Sequence, residues 1–437
     1  MTGRRGDVSV GPMSQTAPVV PSTDDMPPVS ARFVLAYTAA QIGAYIGFVP
    51  LLTLLLPLKA AAIDAAGRVE LLATVALWGA ITAGVANVIA GAVSDRTHDA
   101  PGRRWRWMAA GVVATALSYG LIAAAQAPWS LMVAIVCLQI GLNLMLNPLA
   151  AILPDLVPDR QKGLVSGFAG TAYPLASLFG ALVIGVWLSS EWARLCAVVL
   201  ALLLLVFPFV LSIRRTAARS AAVPRDPGAE SPPLSLAAGL SAFGDSDFRM
   251  AFVSRLFVQT AVAMNVLYLL FFLQQETGIA AVLPAHRPEA VVGWLLTVST
   301  VVAIVAGLVG GYLSDRLGRR RELIFLGGLC LGAAALVMAL VPQWPGPVLA
   351  QGLFGIGMGI YGVVDTALIA QVLPSRADTG RDLGLINVAT TAAQVLAPLL
   401  ALIVLQSVGN DLRLLFAISG AVAVLGASTI MGVRRVR

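Results

Sequence analysis

Long apolar runs constrain this chain more than any other feature. Residues 71–93, LLATVALWGAITAGVANVIAGAV, carry no charge, and 193–213, ARLCAVVLALLLLVFPFVLSI, carry one, near the start. A run of about 20 apolar residues, wound as a helix, crosses a hydrocarbon core of about 30 Å. Lipid offers no partners to backbone N–H and C=O groups, so each run must satisfy them internally as a helix. A barrel would show short alternating strands instead. The whole chain fits this reading, with 58% hydrophobic and only 12% charged residues. A soluble domain of this size carries about 25% charged residues.

The runs predict an all-α membrane protein with twelve spans, at roughly 32–57, 68–94, 106–126, 129–152, 163–188, 192–213, 249–274, 290–314, 322–342, 346–372, 383–407 and 412–433. Residues 1–30 hold Arg4 and Arg5 with no apolar stretch behind them, which predicts a disordered polar tail and no cleaved signal. Residues 214–248 are rich in Pro, Ala and Ser and read as a linker between two bundles, 31–213 and 249–433, with 434–437 as a short tail. Cys137, Cys196 and Cys330 fall inside spans and read as small apolar residues.

Charge fixes the expected orientation. The net +7 does not call for nucleic acid, because the positive-inside rule accounts for it. If the amino terminus is inside, only Lys59, Arg68, Arg194, Arg287 and Arg413 lie outside, leaving 24 of the 29 Lys and Arg at the cytoplasmic face. Both termini are therefore expected in the cytoplasm, with the chain in the cell membrane.

Two landmarks recur at one spacing. GAVSDRTHDAPGRR at 91–104 is echoed by GYLSDRLGRRR at 311–321, and ILPDLVPDRQKGLVSG, with Pro154, by VLPSRADTGRDLGLIN, with Pro374. Both offsets are 220 residues, about half the chain. Two parallel repeats of six helices, each with a charged loop after its second helix, point to a secondary transporter. Asp95 and Asp315 end their helices, where a carboxylate faces the negative end of the helix dipole and needs compensation.

On these residues the chain resembles the major facilitator superfamily, from about residue 31 to 433. Gly91, Ser94, Asp95, Arg96, Gly102, Arg103 and Arg104 match its signature loop, as do Gly311, Ser314, Asp315, Arg316, Gly318, Arg319 and Arg320. The four-residue insertion His98–Pro101, together with 361–401, is similar to the glycoside–pentoside–hexuronide cation symporters and the sucrose-transporter-like group. The resemblance implies a monomer that moves a small solute by alternating access between two six-helix bundles, without a cofactor. It also implies a gate latch of Asp95, Arg96, Arg104, Asp315, Arg316 and Arg320, closed by helix eleven near Arg381 and helix five near Lys162. Acidic residues inside helices two and four, which the melibiose-type members carry, are missing here, so no sodium site of that kind is expected.

Polar residues inside spans are the candidates for the transport path, since polarity in the membrane is costly. Gln41, Tyr45, Trp78, Asn143, Gln259, Asn265, Tyr361 and Gln394 are expected to line a cavity, with hydrogen-bonded glue between helices as the other reading of each amide. Tyr45 and Trp78 offer rings that stack on sugar faces. Asp365 and Arg255 stand apart as charges about two turns inside helices ten and seven, which adjoin in the implied fold. They are expected to pair, with Asp365 in a proton-coupling or substrate role, and a purely structural ion pair as the other reading. No phosphate-binding Gly-x-x-x-x-Gly-Lys loop occurs, and the two histidines, His98 and His286, lie in loops. Neither ATP hydrolysis nor an intramembrane enzyme is encoded, so no metal is expected. Uptake of a glycoside or sugar leads, with export of amphipathic compounds and a non-transporting sensor as alternatives.

Overall fold

Helix starts and stops follow local chemistry. The Ser30 hydroxyl accepts from Phe33 N at 3.3 Å, and the Asp411 carboxylate accepts from Leu414 N at 3.0 Å. Asp245 accepts from Asp247 N and Phe248 N at 2.9 and 3.2 Å, capping donors that have no partner within the first turn. Pro128 and Pro288 open helices whose first N–H would be unpaired anyway. Gly318, at φ 64°, closes a helix in the left-handed region that favours glycine.

The computed structural model describes residues 28–96, 104–219, 243–372, 379–409 and 411–433. Among the described residues, twelve helices are long and apolar enough to cross a membrane. They are α1 (Ala31–Ile63), α2 (Arg68–Arg96), α3 (Arg104–Ala124), α4 (Pro128–Leu156), α5 (Arg160–Trp187) and α6 (Glu191–Arg219) in the first half. The second half has α7 (Ser246–Gln275), α8 (Pro288–Leu317), α9 (Arg320–Leu340), α10 (Gly346–Val372), α11 (Thr379–Val408) and α12 (Leu412–Ile430). The first span runs on to Ile63, beyond the expected 57, because Leu56–Ile63 continues as helix after a π-helical turn at Leu51–Leu55. With twelve spans both ends emerge on one face, here the termini face; the opposite side is the far face.

Packing repeats with the sequence. In the first half α2 and α3 pack on α4, while α6 packs on α1 and α3; in the second half α8 and α9 pack on α10, while α12 packs on α7 and α9. The far-face ends are pinned alike. Lys59 of α1 meets Glu191 of α6 at 2.7 Å, and Glu276 after α7 meets Arg413 of α12 at 2.7 Å, with the charges exchanged. The halves meet through α5 with α8 and α2 with α11, which the repeat also interchanges.

Close approach of backbones needs small residues. A Cβ on Gly359 would collide with the Ala303 carbonyl of α8, and one on Gly357 would stand 2.7 Å from the Gly327 oxygen of α9. The glycine run in α10 thus seats it between two neighbours. The first span breaks its regular ladder after Gly47, and the Tyr119 hydroxyl of α3 donates to the Gly47 carbonyl at 3.0 Å. This bond ties the irregular turn to the bundle.

Candidate functional site

A buried ion pair marks the second half. Arg255 sits in the third turn of α7 and Asp365 on α10, with Asp365 only 5% exposed. Arg255 Nη1 donates to Asp365 Oδ2 at 2.9 Å, and its Nε donates to Thr390 Oγ1 of α11 at 3.0 Å. One guanidinium therefore joins three helices. Charge-assisted bonds of this kind are strong, and removing one partner strands the other charge. Tyr361, one turn before Asp365 on α10, is buried, and its hydroxyl lies against the Asp365 carboxyl.

The other expected lining residues separate into groups. In the first half, Gln41 Nε2 donates to the buried Tyr37 hydroxyl at 2.8 Å. The Tyr45 and Tyr173 rings meet edge to face at 5.8 Å between α1 and α5. In the second half, Gln351 Nε2 donates to Asn265 Oδ1 at 3.2 Å, and Gln351 Oε1 is buried without a hydrogen-bond partner among the described residues. Gln259 and Gln394 are half-buried on α7 and α11. Asn143 Nδ2 donates to the Gln139 carbonyl of its own helix at 2.9 Å, and Asn147 donates to the Asn87 carbonyl at 3.0 Å, joining α4 to α2.

Trp78 departs from its expected place. It is 49% exposed and shares a stripe with exposed Ile81, Val85 and Ile89. At 100° per residue that stripe lies opposite buried Ala73, Ala76 and Ala80, so the ring points away from the bundle. Its spacing put it near mid-membrane but could not say which way it faces. A cavity of about 410 Å³ between α8, α9 and α10 does not hold the polar residues either. Its walls are aliphatic side chains and glycine, including Val305, Val309, Leu323 and Ile360.

The two halves are locked at the far face. Arg287, before α8, donates from Nη2 to Val186 O at 3.0 Å and from Nη1 to Leu188 O at 3.1 Å. These carbonyls end α5, so a cation of one half caps the negative helix end of the other. A Cβ on Gly293 of α8 would run into the Ala181 carbonyl of α5. Arg68 bonds Gln274 across the halves at 3.2 Å, and Ser177 meets Thr300 at 3.2 Å nearer the centre. Towards the termini face α5 stands away. Among the described residues nothing lies within 4 Å of where a Cβ on Gly163, Gly167 or Gly170 would be, and Leu164 and Phe168 are exposed. Among the described residues, the α5–α8 seam is closed at the far face and parted towards the termini face, as one seam of a rocking pair.

Of the expected latch, the backbones of Asp95 and Arg96 end α2, that of Asp315 lies in the last turn of α8, and that of Arg104 begins α3. The side chains of Asp95, Arg96, Arg104 and Asp315 lie outside the described residues. Arg316 is exposed and donates to Tyr312 Oη of its own helix at 3.1 Å, and Arg320 begins α9. The sequence reading missed Thr390, Gln351 and Arg287. Gln351 carried a readable signal, an amide inside an apolar helix; Thr390 and Arg287 carried none, since a threonine in a helix and an arginine in a loop are ordinary.

Comparison with known proteins agrees with this architecture. The Major Facilitator Superfamily description matches residues 33–286 and 256–436. A Na(+), Li(+), K(+)/H(+) antiporter from Planococcus maritimus is 29% identical over 133 residues, 29% of this chain and 29% of that protein. The chain thus matches under a third of that relative's length. A peptide transporter solved with alafosfalin superposes at TM-score 0.73 with 13% identity, covering 94% of this chain and 96% of that one. A nucleoside transporter superposes at 0.66, also with 13% identity, covering 91% and 99%. A family match running from residue 33 to 436, on twelve spans that pack as two repeats of six, establishes that this chain belongs to the Major Facilitator Superfamily and is a multi-pass membrane transporter, not an enzyme.

Proposed function

We propose that this transporter couples solute movement to protons through Asp365, with Arg255 as its counter-charge. The observation that carries the reading is the buried Arg255–Asp365 pair at 2.9 Å, held at the junction of α7, α10 and α11. A proton taken onto the Asp365 carboxylate removes its charge and releases the guanidinium, which then keeps only Thr390. The tie between α10 and the other two helices loosens. Because the pair spans helices that move against the first half, its loss favours one side of the rocking equilibrium, and a solute that prefers the same state is driven with the proton.

The solute we propose is a small neutral polar molecule of glycoside or sugar type, moved by symport as in the glycoside–pentoside–hexuronide group. Amides and phenols that are not fully buried, Gln41, Tyr45 and Tyr173 in one half with Gln259 and Gln394 in the other, suit hydroxyl groups better than charge. Asn265 and Gln351 are instead buried against each other as glue between α7 and α10. Proton-driven export is the second reading, favoured by the partial likeness to a cation/proton antiporter. In both readings the termini face is cytoplasmic, supported by 24 of the 29 Lys and Arg on that side.

Counterflow in proteoliposomes with labelled glycosides, sugars and lipophilic cations identifies the solute. In the same vesicles Asp365→Asn, a permanent mimic of the protonated form, abolishes accumulation driven by a proton gradient yet retains solute exchange. An Asp365→Asn protein that still concentrates solute under an imposed proton gradient places coupling elsewhere.

A further inference from the structure

A second charged cluster, unrelated to Asp365, sits at the far-face end of the first half. A small cavity of about 170 Å³ lies between the ends of α1, α3 and α6, lined by Lys59, Arg194, Glu191, Ser189 and leucines. Both cations are more than nine-tenths buried, Lys59 at 8% and Arg194 at 4% exposure. Lys59 Nζ gives one bond to the Ala123 carbonyl at 3.0 Å and one to Glu191 at 2.7 Å, so one of its three donors remains. Arg194 Nε donates to Leu188 O at 3.2 Å, but its Nη2 is buried with no partner among the described residues. A buried guanidinium nitrogen without an acceptor is costly. One carboxylate lines the cavity against two cations, and that carboxylate is already engaged by Lys59.

The lock beside it adds a second strain. Leu188 O accepts from Arg194 and, across the halves, from Arg287 Nη1 at 3.1 Å. Two guanidiniums thus converge on one carbonyl oxygen and repel each other. Glu289 is an acid in reach of Arg194 and offsets much of this repulsion, yet its Oε2 is buried with no hydrogen-bond partner among the described residues. We propose that the Lys59–Arg194 cavity binds a small oxyanion with phosphate chemistry, and that the bound anion stabilises the closed far face. The anion draws on the Arg194 guanidinium and the spare Lys59 N–H, the two cations that line the cavity. Its charge offsets the Arg194–Arg287 repulsion that closure creates, so it binds the closed state more tightly and shifts the population toward it.

Free phosphate and a phospholipid headgroup share this chemistry, and two arms separate them. In the first, inorganic phosphate is titrated into the full chain in lipid-free detergent while thermal stability and labelling of a far-face cysteine are read. In the second, retention of phosphatidylglycerol is read by native mass spectrometry. A free-ion site gives stabilisation and reduced labelling with phosphate; a headgroup site gives retained lipid. Arg194→Gln weakens either effect about tenfold or more, as expected for loss of a charge-assisted bond. Glu191→Gln, at a half-exposed side chain, strengthens binding by removing the competing carboxylate, which a merely structural role for the cluster does not predict. Absence of both effects in the wild-type chain, or weaker binding in Glu191→Gln, overturns the proposal.

Discussion

At the scale of single residues, burial decides what a charge can do. Arg255 and Asp365 are tolerable in the membrane because each satisfies the other, and Thr390 takes a further donor. The sequence made the pair conceivable, since two charges at matched depth in otherwise apolar helices need partners. It could not give the geometry of the pair or show that Thr390 joins it, because helix rotation decides that. A double-mutant cycle measures the interaction. Arg255→Gln and Asp365→Asn each lower thermal stability in detergent, while the double variant loses less than their sum, with a coupling of about 1–3 kcal/mol. Additive losses would mean that the pair is not energetically linked. Trp78 shows the opposite case: depth was legible, but the direction of the ring followed from which face of α2 meets α4.

Elements carry the gating geometry. The π-helical end of α5, Gly180–Trp187, lies against the start of α8, and small residues such as Gly185 and Gly293 let the two come close. Arg287 then caps the exposed carbonyls of α5 with two bonds. Arg287→Ala should leave α5 uncapped and the far face easier to part. Labelling of a far-face cysteine at the α5–α8 seam is expected to rise several-fold, while insertion and expression stay as in the wild type. Gly293→Val should act in the same direction through overpacking, which typically costs about 1–3 kcal/mol. If neither change alters labelling, closure is held by other contacts.

For the whole molecule, alternating access requires the two faces to open in turn. The far face is locked by Arg287, Arg68 and the α5–α8 seam, whereas α5 stands clear of α8 towards the termini face. The latch we propose lies at that face, where the backbones of Asp95 and Asp315 fall in the last turns of α2 and α8. Asp95→Asn and Asp315→Asn should each favour opening at the termini face and slow transport without preventing insertion. Cysteine accessibility from that face together with the transport rate is the measurement. Unchanged values in both variants would reduce the loops to topology signals.

The sequence by itself determined that this chain spans a membrane twelve times, that its two halves repeat, and where most of the spans begin and end to within a few residues. Hydrophobic length and internal backbone pairing are properties of a single segment, so they can be read locally. Only the tertiary structure decided that Arg255 reaches Asp365 and Thr390, that Trp78 faces outward, and that Arg287 and Arg194 share the Leu188 carbonyl. Each of these depends on the rotation of one helix against another and on contacts between residues from 6 to 135 positions apart. An apolar helix in lipid has no strong periodic pattern to set that rotation, because both its lipid face and its packed face are apolar.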